Sequence, residues 1–87
     1  MAPRARRIGK SVHSPEQRAF LELMVAARDK ADLTQEKLAK RLGKHQSFVA
    51  KYEGGERRLD VIEFLRVARA MGTDPIRVLR APMRRQS

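Results

Sequence analysis

TQEKLAKRLGKHQSFVAKYEGG, residues 34–55, decides how this chain is read. Leu38, Ala39 and Leu42 fall at i, i+1 and i+4 and share one face of a helix. Thr34 stands before Glu36 and Lys37 as an N-cap residue before a polar first turn. Gly43 ends that helix, because glycine enters the left-handed region at least cost. After Lys44 a second helix starts from a cap at His45 or Ser47 and stops at Gly54-Gly55. It buries Phe48 or Val49 together with Tyr52. Two short helices joined by a turn of about three residues form a helix-turn-helix. Neither is stable alone at this length, so both must dock on a scaffold.

The flanking sequence supplies one. Ser14-Pro15-Glu16-Gln17 is a helix start, with a Ser N-cap, Pro at the first helical position and Gln17 placed for a capping box. This helix is expected to run to about Lys30. Phe20, Met24, Ala27 and Ala31 form its buried stripe, with Leu23 alongside. From Leu59 to Met71, Asp60 caps another helix with Glu63 at N3; its stripe is Val61 or Ile62, Leu65, Ala68 and Met71, and Gly72 ends it. Asp74-Pro75 opens a last helix over 75–80, with Ile76 and Leu79 toward the core, and Pro82 stops the regular structure. The fold class is all-α.

Eighty-seven residues make one small domain with a thin core. With no cysteine, neither a disulfide nor a Cys-based zinc site is available. No apolar run approaches a membrane span, and the basic N-terminus lacks the apolar region of a secretory signal. Twenty Lys and Arg against ten Asp and Glu give a net charge of +10. Residues 1–13 carry Arg4, Arg6, Arg7 and Lys10 with no acid; residues 77–87 carry Arg77, Arg80, Arg84 and Arg85 with none. Residues 34–58 hold seven bases against three acids. That distribution suits a polyanion on one side. Catalysis has no foothold: His13 and His45 keep no metal-binding spacing, and Gly54-Gly55-Glu56 lacks a phosphate-loop context. No enzyme activity, cofactor or metal is expected.

Through Leu33, Thr34, Gln35, Leu38, Ala39, Leu42, Gly43, Gln46, Ser47, Val49, Tyr52, Glu53 and Gly55, and then Leu65, Ala68, Met71 and Gly72, the chain resembles the Cro/phage-repressor (XRE) helix-turn-helix family. The resemblance implies a compact five-helix bundle of the lambda-repressor-like type, with a central helix-turn-helix and basic flexible tails. It implies an Arg28–Glu53 pair tying the first helix to the end of the third. It also implies that Gln35 contacts a phosphate and braces Gln46. It places Val49 at the family's core position, so Phe48 is expected to stay partly exposed toward DNA. Lys44 departs from the pattern, which usually has Val or Ile there.

In such a motif the start of the second helix faces base edges in the major groove. Here those positions are Gln46, Ser47, Ala50 and Lys51. Gln46 offers a donor and an acceptor that match adenine, Lys51 suits guanine or phosphate, Ser47 discriminates weakly, and Ala50 offers a methyl. Thr34, Gln35, Lys44, His45, Phe48, Arg57 and Arg58 are the expected backbone contacts.

The expected organisation is a disordered basic arm (1–13), a DNA-binding domain (14–81, with the helix-turn-helix at 34–54) and a basic tail (82–87). The expected function is sequence-specific regulation of transcription: a small repressor in the bacterial cytoplasm, on double-stranded DNA at the nucleoid. The family binds inverted repeats as homodimers, and Ile76, Val78, Leu79 and Met83 are the dimer candidates, because Val78 is surplus to the core. Two alternatives stand beside this reading. One is an antitoxin that represses its own operon and binds a small toxin protein; the other is a non-specific architectural binder whose arms dominate.

Overall fold

Each helix begins where a side chain meets the free backbone N–H groups of its first turn. The computed structural model describes residues 14–83, except the side chains of Ala81 and Met83. The arm at 1–13, and Arg84 and Arg85 of the tail, lie outside the described residues. Helix α1 spans Pro15–Lys30, and Ser14 Oγ accepts the Gln17 N–H at 3.0 Å. Helix α2 spans Gln35–Leu42, capped by Thr34 through the Lys37 N–H. Helix α3 spans Gln46–Glu53; of the two cap residues the sequence allows, His45 takes the role, its Nδ1 accepting the Ser47 N–H. Helix α4 spans Val61–Met71 and opens with a complete capping box between Asp60 and Glu63. Helix α5 spans Pro75–Met83. It continues through Pro82, contrary to the expectation that this residue stops it. Pro82 lies one residue from the end, so only its own missing N–H is lost from the helix.

Gly43 and Gly72 close α2 and α4 in the left-handed conformation, with φ of 68° and 70°. A Cβ at either would meet nothing within 4 Å, so it is the backbone angle and not crowding that selects glycine.

Helix α2 packs on α3 and α4, while α1 packs on α5 and α3, and α4 meets α5. Met24, Leu38, Val49, Tyr52 and Val67 are fully buried where these faces converge. Ala39 is buried beside them at 1 % exposure, small enough for α3 to pack closely on α2. Among the described residues no helix is long and apolar enough to cross a membrane.

Three helical faces differ from the sequence expectation. On α1, Ala19 and Leu21 are buried with Met24, while Phe20, Leu23, Ala27 and Ala31 are only partly buried. On α4 the buried stripe is Phe64, Val67, Ala68 and Met71, and Val61, Ile62 and Leu65 are exposed. Both stripes on α4 have helical spacing. The ring of Phe64 decides between them by meeting Phe20 edge to face, with centroids 5.4 Å apart. On α5 it is Val78, 6 % exposed, that enters the core, while Ile76 and Leu79 face outward. Val78 is therefore not surplus to the core, and its buried side chain has no surface to offer a second subunit.

Tyr52 is wholly buried, and among the described residues its hydroxyl has no hydrogen-bond partner. Burial pushes its phenol well above the ordinary value. Tyr52→Phe removes an unsatisfied polar atom at nearly constant volume, and is expected to raise stability by about 1–2 kcal/mol. Urea unfolding checks this: a lower midpoint for the variant would refute it.

Candidate nucleic-acid interface

Along α3, Gln46 and Lys51 are exposed and Ser47 and Ala50 are half-buried. All four lie along the same short helix. Gln46 Nε2 donates to Gln35 Oε1 at 2.7 Å, so the expected brace is formed. Ser47 Oγ lies 3.1 Å from His45 Nδ1, which joins the cap residue to one of the expected base contacts.

The brace continues inward. Gln35 Nε2 donates to Glu53 Oε1 at 2.8 Å, and Arg28 closes on the same carboxylate through Nε (2.7 Å, Oε2) and Nη2 (3.1 Å, Oε1). Arg28 Nη1 also donates to the Leu33 carbonyl at 2.8 Å, pinning the turn before α2. The Arg28 and Glu53 side chains are only 13 % and 6 % exposed, so this is a largely buried pair with its donors and acceptors matched. Hydrogen bonding to Glu53 raises the Arg28 pKa above its already high value, against the effect of burial.

The link from Gln35 to Glu53 is absent from the sequence expectation. It joins residues eighteen apart in sequence, and no local spacing announces it.

Around Phe48 the expected backbone contacts take on further roles. Phe48 is half-buried and meets Tyr52 edge to face, with the Arg57 guanidinium 4.8 Å and Lys44 Nζ 5.4 Å from its ring centroid. The charge of Lys44, where the family pattern has an aliphatic residue, thus lies over an aromatic face. Arg57 is also held by Glu63 through a fork of 2.9 and 2.7 Å, which ties the loop to the start of α4. That guanidinium, with the Asp60 N–H, lowers the Glu63 carboxyl from an ordinary 4.5 to about 2. Since the folded value is the lower one, what this carboxylate adds to stability is present above about pH 4.5 and lost as pH falls toward 2. Arg58 is exposed.

A concavity between α2 and the start of α3 is lined by Thr34, Gln35, Lys37, Lys40, Lys44 and Gln46, among others. Lys37 and Lys40 are exposed, and neither is among the contacts expected from sequence. Their spacing to Lys44 (three, then four residues) was the available signal. With these cations, two helix starts and the Gln35–Gln46 amide pair in its lining, the surface has what a phosphate backbone and base edges require.

Comparison with known proteins agrees with this geometry. The helix-turn-helix family profile matches residues 25–77. Among solved structures, an XRE-family like protein from Pseudomonas syringae pv. tomato str. DC3000 superposes with a TM-score of 0.81 at 44% identity, covering 93% of this chain and 99% of that one. Comparison with curated proteins finds no match. The chain therefore belongs to the XRE-type helix-turn-helix family of DNA-binding transcription regulators.

Proposed function

We propose that this protein is a small repressor that reads double-stranded DNA with residues 46–51 and binds an inverted-repeat operator as a homodimer. One observation carries the reading: Gln46 stands exposed at the start of α3, with its amide fixed by Gln35. A side chain held in one orientation before binding loses less entropy on meeting a base edge. Lys51 stands farther along the same helix as a second, exposed donor. The proposed setting is the bacterial cytoplasm, on the nucleoid.

The test is fluorescence anisotropy at about 0.15–0.2 M salt, where non-specific binding is suppressed. The probes are the DNA upstream of the protein's own gene and a scrambled duplex. The wild type is expected to prefer the upstream DNA by about a thousandfold, and Gln46→Ala/Lys51→Ala is expected to lose that preference. Equal binding of both duplexes by both proteins would refute sequence reading and favour a non-specific binder.

For the dimer, the supporting observation is the outward face of α5, where Ile76 is 54% and Leu79 42% exposed. Ile76→Asp/Leu79→Asp is expected to give a monomer in sedimentation and to abolish cooperative binding to two half-sites. An unchanged mass and isotherm would remove α5 from the interface.

A further inference from the structure

We propose that Glu53, which lies at the far end of α3 from the bases, determines which purine Gln46 accepts. It does so by fixing the polarity of the hydrogen-bonded chain Glu53–Gln35–Gln46. The inference rests on the base-reading role proposed for Gln46.

The argument uses only donors and acceptors. A carboxylate paired with a guanidinium has acceptors alone, and Glu53 receives two N–H groups from Arg28. The terminal group of Gln35 that lies 2.8 Å from Glu53 Oε1 must therefore be its NH2, as the geometry has it. An amide with its nitrogen turned inward presents its oxygen outward. The group of Gln46 that lies 2.7 Å from Gln35 Oε1 must in turn be an NH2. A single acceptor-only group thus sets two amides in series, either of which on its own is free to flip. Glu53 acts here as a positioning residue, with Gln35 as the intermediary.

The outcome at the tip is chemical. With one N–H of Gln46 held by Gln35, one N–H and the Oε1 remain for DNA. That pair matches adenine, which presents an acceptor at N7 and a donor at N6. Guanine presents two acceptors at the same edge, and its O6 would meet the Gln46 oxygen. Reverse the chain, and Gln35 donates to Gln46 Oε1 instead. Both N–H groups of Gln46 are then free, and guanine fits. The wild-type polarity therefore rejects guanine, and the rejection originates about seven residues along α3 from the side chain that performs it.

Glu53→Gln is the discriminating change. It keeps the shape and an acceptor, but the amide it introduces can turn either its oxygen or its nitrogen to Gln35, so both polarities become available. Arg28→Lys keeps the charge that pairs with Glu53 and removes the fork. It loosens the same buried pair while leaving Glu53 acceptor-only.

The experiment selects duplexes from a fully randomised DNA library at about 0.15 M salt. The selecting proteins are the full-length wild type, Glu53→Gln, Arg28→Lys and Gln46→Ala, each checked for helicity by circular dichroism. The position read by Gln46 is the one at which Gln46→Ala no longer enriches any base. Wild type and Arg28→Lys are expected to enrich adenine there. Glu53→Gln is expected to return adenine and guanine together, a loss of about tenfold in discrimination, with its preferences elsewhere in the site kept.

A Glu53→Gln pool identical to wild type, with Gln46→Ala flat, overturns the relay and leaves base reading standing. A Gln46→Ala pool identical to wild type overturns both. Mixed purines with Arg28→Lys would trace the effect to a loosened fold, and a wild-type preference for another base would refute the adenine match; either overturns the proposal. If Glu53→Gln does not fold, Gln35→Leu cuts the same chain at its middle link. Unchanged adenine selection by that variant overturns the relay equally.

Discussion

Glu53→Ala is expected to destabilise the protein by about 3–5 kcal/mol, the range for removing one partner of a buried ion pair. Truncation leaves the Arg28 guanidinium largely buried with only the exposed Asp29 carboxylate, 3.6 Å away, as counter-charge, and strips Gln35 of the acceptor that holds it. Three elements meet at this carboxylate: the end of α1, the start of α2 and the end of α3. A small domain has about 5–15 kcal/mol of stability in total. The variant is therefore expected to lose a large share of that stability. Chemical denaturation at low temperature measures the difference; a loss under about 1 kcal/mol would show that the pair behaves as an exposed one.

Leu38→Ala is the second large effect, expected at about 2–5 kcal/mol. Leu38 is 0 % exposed at the centre of the core, where α2 meets α3 and α4. A cavity there adds to the lost transfer energy, because interiors this dense collapse only in part. Leu65→Ala is the internal control. It is 40 % exposed, and the same truncation is expected to cost less than about 1 kcal/mol. Equal losses for the two leucines, read from urea midpoints at constant slope, would place Leu65 rather than Phe64 on the buried face of α4.

That contrast marks the limit of what the sequence reveals. The helix starts and stops are legible because caps act within three residues of themselves. Thr34, Asp60, Gly43 and Gly72 each do locally what their chemistry suggests. The Arg28–Glu53 pair and the Gln35–Gln46 brace followed from the family resemblance. The faces of α4 and α5 were not legible in the same way. Val61, Ile62, Phe64, Leu65 and Val67 are all apolar, so two overlapping stripes satisfy one periodicity. An edge-to-face contact with Phe20, forty-four positions away, selects between them. On α5, Ile76, Val78 and Leu79 pose the same choice in a helix of nine residues. The bond from Gln35 to Glu53 escaped for a related reason: each side chain already had a role that accounted for it.

The hydrogen-bonded chain from Arg28 to Gln46 is confined to residues 28–53, and the outward aliphatic side chains Val61, Ile62, Leu65, Ile76 and Leu79 all follow it. The proposed base-reading and dimer surfaces thus fall in consecutive segments of the sequence. On the proposed roles, exchanging residues 61–83 for those of a relative, with Glu63 and the buried Phe64, Val67, Ala68, Met71 and Val78 retained, is expected to change the partner subunit while keeping the base preference.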